Sequence, residues 1–438
     1  MKYNLNNENL TDKFLAERYG IDKNLIVIAR ETDRELRSAF DEISDIASYN
    51  QMKVLSAMAR RGLSSSHFTV STGYGYGDTG RDILEEIYAD VFQAEAALVR
   101  PQIISGTHAI ATAMFGVLRA GDELISVTGR PYDTLLKVIG VQESQGSLME
   151  HGIIYKEAAL DEKGRPDYES IRALITPKTK MAAIQRSKGY TLRRSFTVKE
   201  INGLIWFIKS INKDIVCFVD NCYGEFTDYA EPEADLLAGS LIKNPGGGLA
   251  PVGGYVIGRS DLVYGAACRL NTPGAGRNVG PSLGLASIFT QGLFQAPQVV
   301  KGTLQGAVFA ARLFEKLNID HSPKVNEKRS DIVQAAVLKS PEAVAAFCRG
   351  VQRAAPVDSF VVPEAWDMPG YDCPVIMAAG AFVQGSSIEL SADAPMREPY
   401  AVFFQGGLCY DHSRFGVLMG IDEMLRNNLI RLYSGTPQ

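Results

Sequence analysis

Cysteine is scarce and unpatterned in this chain. Six occur in 438 residues, at positions 217, 222, 268, 348, 373 and 409, with no C-x-x-C pair. That argues against a disulfide framework and against zinc, and for a reducing cytosol. Each cysteine reads as a small buried hydrophobe. An excess of one charge is missing too: 45 basic and 50 acidic residues leave a net charge of −5. The chain therefore carries no electrostatic footprint for nucleic acid. Long apolar runs are also lacking. The most apolar long stretch, 98–118, is interrupted by Arg100, Pro101, Gln102 and His108, and makes a poor transmembrane candidate. The N-terminus, MKYNLNNENLTDKF, has no apolar core and does not read as a signal peptide. The expectation is a cytoplasmic protein with no membrane, nucleic-acid or metal partner.

The rest of the composition is ordinary for a globular protein, with 46% hydrophobic and 22% charged residues. The length suits one large domain and a smaller one. Residues 9–49 have a helical rhythm, and 51–61 read as a further helix that Gly62 and three serines break. Near-continuous apolar strands then alternate with helices. Strands are expected at 96–104, 123–128, 152–155, 180–185, 215–220 and 255–258, with helices between them. This pattern predicts a parallel sheet covered on both faces, with ligands beyond the carboxyl ends of its strands. From about Gly292 the character changes to helices mixed with short strands, expected at 359–362, 376–382, 387–390 and 400–404. That predicts a second, α+β domain. The expected division is an N-terminal helical segment over 1–61 packing with the small domain, a large domain over 62–292 and a small domain over 293–438.

One lysine organises the chemistry. Lys243 follows Gly239-Ser240-Leu241-Ile242 and precedes Asn244, Pro245 and three glycines. An ammonium among apolar and small residues is costly to desolvate, and burial lowers its pKa and frees its lone pair. A Schiff-base lysine needs that; a surface lysine in a flexible loop is the plainer alternative. Upstream, an apolar strand ends in Asp220, a carboxylate that seeks a cationic partner. Ser105-Gly106-Thr107 stand between a strand and a helix, a place where free N–H groups bind anions; simple N-capping is the competing explanation. His108 reads as a structural histidine. Tyr132 lies just beyond another strand. Arg397, set between prolines in the second domain, suits a carboxylate, or else pairs with Glu398 or Asp393. Gly75, Gly77 and Gly80 make a formal G-x-G-x-x-G, but the acidic residue of a dinucleotide site is missing about twenty positions on. Ser240 and Lys243 form an S-x-x-K, yet neither S-D-N nor K-T-G occurs, which disfavours a serine-lysine hydrolase.

Together these are the parts of a pyridoxal 5'-phosphate site: an amine for the aldehyde, a carboxylate for the ring nitrogen, donors for the phosphate, a stacking ring and a cation for the substrate carboxylate. The sequence also resembles fold-type I pyridoxal-phosphate enzymes. Within them it is similar to the methionine gamma-lyase-like, or aluminium-resistance, family, relatives of cystathionine lyases. The resemblance covers nearly the whole chain. It is carried by GYGYGDTGRD (73–82), SGTHAI (105–110), VDNCYGEF (219–226), GSLIKNPGGGLAPVGGY (239–255), MPGYDCPVIMAAGAF (368–382), ELSADAPMREPY (389–400) and QGGL (405–408).

The resemblance implies an α/β fold of type I, with a mainly parallel seven-stranded-type sheet in the large domain and a smaller α+β C-terminal domain. It implies that Lys243 binds the cofactor covalently and that Asp220 pairs with its ring nitrogen. Ser105, Gly106, Thr107 and Ser240 would hold the phosphate, and Tyr132 would stack on the ring. Tyr74 and Tyr76 match a tyrosine loop that reaches the neighbouring subunit's site, as candidate proton donors. That implies a homo-oligomer, a dimer at least and extending to a tetramer. Arg397 would meet the substrate carboxylate. The implied activity is elimination of a thiol from a sulfur amino acid, giving a 2-oxo acid and ammonia. An aminotransferase would use the same lysine and aspartate, and a non-catalytic protein of metal tolerance is the remaining alternative. The C-terminal arginine context differs from that of cystathionine lyases, so their substrate choice does not carry over. The loop TPGAGRNVG (272–280) has no counterpart there.

Overall fold

The helical rhythm of the N-terminal stretch becomes α1 (Leu10–Phe14), α2 (Lys23–Glu35) and α3 (Arg37–Arg60) in a computed structural model of the chain. The structure describes residues 9–368 and 371–432. The first eight residues of the N-terminal stretch and residues 369–370 of the 368–382 motif lie outside the described residues. The two helices expected around residue 50 are one continuous helix, α3. Asn50 does not break it: its side-chain amide donates to Ile46 O and to Asp228 O, anchoring the helix to the body. Gly62, at φ +61°, follows its end.

The large sheet is then assembled in order. α4 (Thr79–Phe92) precedes β1 (Ala96–Arg100), α5 (Gly106–Val117), β2 (Glu123–Ser126), α6 (Asp133–Ile139), β3 (Ile154–Glu157), α7 (Tyr168–Leu174), β4 (Thr179–Gln185), α8 (Val198–Ile211), β5 (Val216–Asp220), β6 (Leu236–Ser240), β7 (Gly254–Gly258) and α9 (Ser260–Leu270). The seven strands lie in the order β1-β7-β6-β5-β4-β2-β3. Only β7 runs against its neighbours. The central strands are apolar throughout because helices cover both faces: Met114 and Leu262 pack on one, Ile201 and Leu204 on the other. This is the fold-type I architecture.

α10 (Ala286–Lys316) links the two layers as one 31-residue helix. The boundary expected at 292/293 falls inside it. Gly292 lies so close to the loop after Lys243 that a Cβ there would stand 2.4 Å from Gly246 O. Small residues in this stretch let the helix pack on that loop. Beyond α10 come β8 (Asp320–Ser322), β9 (Gln334–Val337), α11 (Pro341–Arg353), β10 (Val375–Ala379), β11 (Ser391–Pro395), β12 (Ala401–Gln405) and α12 (Tyr410–Arg426). The strands form an antiparallel sheet in the order β10-β11-β12-β9-β8.

Two expected strands there are not strands. Residues 359 and 360 form a turn closed by Val361 N donating to Asp358 O, and 361–362 continue as irregular chain. Residues 387–390 bend, because the Glu389 carboxylate accepts from Phe382 N and Val383 N. The N-terminal helices close the far side: Asp22 N donates to Asp422, and Asp33 pairs with Arg414 of α12. No described helix is long and apolar enough to cross a membrane.

Candidate active site

β5 and β6 are parallel neighbours, and both end on the same edge of the sheet. β5 delivers Asp220 and β6 delivers Ser240, with Lys243 three residues further on. The N-terminus of α5 faces them. A Cβ placed on Gly106 would stand 3.2 Å from Cys222 Sγ, 3.4 Å from Ser240 Cβ and 3.8 Å from Lys243 Nζ. Gly106 thus keeps open a cradle between a helix N-terminus, a hydroxyl and an amine. Ser240 is fully buried, and its Oγ has no partner among the described residues. Thr107 Oγ1 lies 3.1 Å from Tyr132 Oη and 3.3 Å from Thr134 Oγ1. Ser105 caps α5, its Oγ accepting from His108 N at 3.1 Å. His108 in turn accepts from Ile104 N through Nδ1.

Strain and anchoring hold the edge together. Tyr223, at φ +72°, and Phe226, at φ +63°, adopt left-handed backbone that side chains disfavour. Asn244 compensates by donating to Tyr223 O and Glu225 O, which ties the lysine loop to the segment after Asp220. Arg186 does the same from just beyond β4. Its buried guanidinium donates to Asn221, Thr227 and Glu231.

Lys243 is half-buried, with Nζ 3.9 Å above the Tyr223 ring. Burial works to lower its pKa, but Cys222, Tyr223, Asp220 and Tyr132 outweigh it, and the ammonium is held well above its usual range. The expectation of a lowered lysine pKa is therefore corrected: the surrounding acids win over desolvation. Asp220, 7% exposed, shows the converse. Burial pushes its carboxyl up against the pull of Lys243 and of the Cys222 N–H, which donates to Oδ1 at 3.1 Å.

The remaining expected residues lie on the rim or outside. Arg397 is 39% exposed and paired at 2.7 Å with Asp372, rather than with Glu398 or Asp393. Tyr74 and Tyr76 are exposed and stack on each other at 5.5 Å. Neither phenol is hydrogen-bonded to Lys243, Asp220 or Tyr132. Their loop is locked to the glycine loop 272–280: Gly280 N donates to Tyr74 O, and Arg81 Nη1 donates to Gly75 O and Gly280 O. The formal G-x-G-x-x-G serves this turn. A separate cavity of about 380 Å³, lined by Thr128, Arg165, Tyr168, Phe196 and Leu204, contains none of these residues.

The sequence profile of methionine gamma-lyase matches residues 25–425. The chain belongs to the methionine gamma-lyase family. Within reach of that family, YnbB of Bacillus subtilis, itself uncharacterized, is 49% identical over 407 residues, 92% of this chain and 97% of its own. A carbon-sulfur lyase involved in aluminum resistance from Clostridium novyi has a solved structure with 45% identity and a TM-score of 0.92, covering 95% of this chain and 100% of that one. The pyridoxal-5'-phosphate-dependent protein YhfS of Escherichia coli, at 15% identity and TM-score 0.57 over 88% of this chain and 97% of that one, shares the fold.

Several residues of the site escape sequence reasoning. Glu225 is fully buried beside Tyr255, whose Oη donates to Oε1 at 2.6 Å. Tyr190, in the turn after β4, and Asp393, in the small sheet, are bonded at 3.0 Å. Asp393 stands inside the motif 389–400, where only an alternation of facing could single it out. The positive φ of Tyr223 has no sequence signal.

Proposed function

We propose that the protein is a pyridoxal-phosphate-dependent carbon-sulfur lyase, which eliminates a thiol from the β- or γ-carbon of a sulfur amino acid to give a 2-oxo acid and ammonia. The observation that carries this reading is the cradle at Gly106. It sets a bare buried hydroxyl and a helix N-terminus at one end, and Lys243 and the carboxylate of Asp220 beyond. Those donors fit a phosphate, an aldehyde and a protonated ring nitrogen in turn. When bound, pyridoxal phosphate supplies a carbonyl for amines and a ring that draws electrons from Cα.

The chain supplies the rest. The N–H groups of Gly106 and Thr107 and the hydroxyls of Ser105 and Ser240 bind the phosphate. Tyr132, whose N–H donates to Gln185 at 3.0 Å, offers a stacking face. Asp220 keeps a proton on the ring nitrogen; its raised carboxyl prefers a cation or a shared proton to bare charge. Lys243 would hold the cofactor covalently and act as base toward the α-proton, in both cases only after giving up the proton that the neighbouring acids favour on it. Arg397 on the rim meets the substrate carboxylate by exchanging its exposed Asp372 partner. Tyr74 and Tyr76, exposed on a braced loop, serve the site of a second copy as proton donors to the departing sulfur. A dimer is the functional unit, and a tetramer its expected assembly.

The test is Lys243→Ala. The wild type, supplied with pyridoxal phosphate, should gain visible absorbance and release thiol from one of cysteine, cystathionine, homocysteine or methionine. The variant should do neither. A variant that still turns over removes the assignment.

A further inference from the structure

A buried carboxylate with a bare oxygen looks at the site from the second domain. Asp393 lies in the middle of β11 and is 4% exposed. In register it stands beside Met377 of β10 and Phe403 of β12. Phe403 shares a small apolar cluster with Ala335, Tyr190 and Tyr223. The alternate residues Ala392, Ala394 and Phe404 belong to the main core instead. The pleat therefore turns Asp393 toward the large domain. Its Oδ2 accepts from Tyr190 Oη at 3.0 Å and from Gln405 Nε2 at 2.8 Å. Its Oδ1 is buried and has no partner among the described residues.

The surroundings are aromatic. The Tyr190 ring lies 5.5 Å from Tyr371 and 5.3 Å from Phe403. Tyr223, which carries Lys243 Nζ over its face, is the third tyrosine within electrostatic reach of Asp393. Among the described residues, Lys243 is the cation whose charge acts on Asp393, and Cys348 is the acid behind the sheet that feels it. Burial pushes the Asp393 carboxyl up to about 6, so it is ionised at neutral pH. A carboxylate with a free oxygen among aromatic faces favours a cation, through a charge-assisted hydrogen bond and ring quadrupoles. An alkyl group there would leave the oxygen unpaired. In the proposed function Lys243 is committed to the cofactor, which leaves the bare Oδ1 to a charged donor carried by the substrate.

We propose that Asp393, framed by Tyr190 and Tyr371, is the subsite for a second, distal ammonium group on the amino-acid substrate. This rests on the amino-acid-binding reading above and narrows it to diamino acids.

The test uses ligands that lack a sulfur leaving group, so it does not depend on elimination. The holoenzyme is titrated with L-lysine and L-norleucine, and with the shorter pair L-ornithine and L-norvaline, following its visible spectrum. The expected result is that the better-fitting diamino acid binds about ten-fold or more tightly than its neutral isostere. In Asp393→Asn that preference should fall to within about three-fold, with the neutral ligand's affinity retained. Equal affinity within both pairs in the wild type overturns the subsite, with no variant needed. A preference that survives in Asp393→Asn overturns it as well. No spectral response to any amino acid would instead remove the proposed function, and this inference with it.

Discussion

The Glu85 carboxylate accepts from Arg100 Nε at 2.7 Å, and each side chain is 1% exposed. Arg100 also donates to Val279 O and Arg277 O, while Arg277 reaches Glu85 Oε2. One buried pair therefore secures the glycine loop that in turn holds the tyrosine loop. Arg100→Ala leaves Glu85 buried opposite only a rim arginine. Breaking such a pair costs about 3–5 kcal/mol, which urea unfolding would register. Glu85→Gln combined with Arg100→Met should recover much of that loss. A single variant as stable as the wild type would show that the pair is not structural.

Ser240 gives a cleaner separation of folding from binding. Its buried hydroxyl bonds none of the described residues. Ser240→Ala should leave the stability of the cofactor-free chain unchanged or raise it by up to about 1 kcal/mol. Affinity for pyridoxal phosphate should fall about ten-fold, the value of one hydrogen bond to a charged group. Titration of the apo-protein with the cofactor checks both. An unaltered affinity would take Ser240 out of the phosphate site.

Glu225 predicts a pH dependence. Burial pushes its carboxyl up to about 8, against the pull of the Tyr255 hydroxyl. The folded state therefore holds a proton that the unfolded chain releases in the ordinary carboxylate range. The stabilisation is complete in acid and is lost as pH rises through about 8. Glu225→Gln should remove this decline: relative to wild type, it should gain stability between pH 5 and about 8. Thermal unfolding across that range measures it. Parallel pH profiles would contradict the buried neutral acid.

The exposed pair Tyr74 and Tyr76 predicts complementation between subunits. Tyr76→Phe and Lys243→Ala should each be poor catalysts alone. Refolded together in equal amounts, half of the dimers are mixed and each has one intact site. Activity should return to roughly a quarter of wild type. A mixture no better than its components would confine each site to one chain.

Most of the large sheet was legible because its central strands are apolar on both faces, so local pattern and burial coincide; β6 (Leu236–Ser240) was not among the expected strands, because its short apolar run ends in the small Gly239-Ser240 step before the lysine. The second domain was less so. Residues 387–390 look like a strand until Glu389 turns back to cap Phe382 and Val383, a contact between segments that no periodicity records. β8 and β9 were hidden in and after a polar stretch: β8 is a three-residue edge strand, and β9 is a four-residue strand too short to show a period.

The sequence by itself determined the chemical parts: a lysine in a small-residue loop, an aspartate closing an apolar strand, and a Ser-Gly-Thr step opening a helix. These are local features, and short stretches of chain specify them. Only the tertiary structure decided how they act. It brought Gly106, Ser240 and Lys243 within a side chain's reach, surrounded the lysine with acids that keep it charged, paired Arg397 with Asp372, and turned Asp393 inward from another sheet. Charge and desolvation act across space between residues up to hundreds of positions apart, and that distance is set by packing alone.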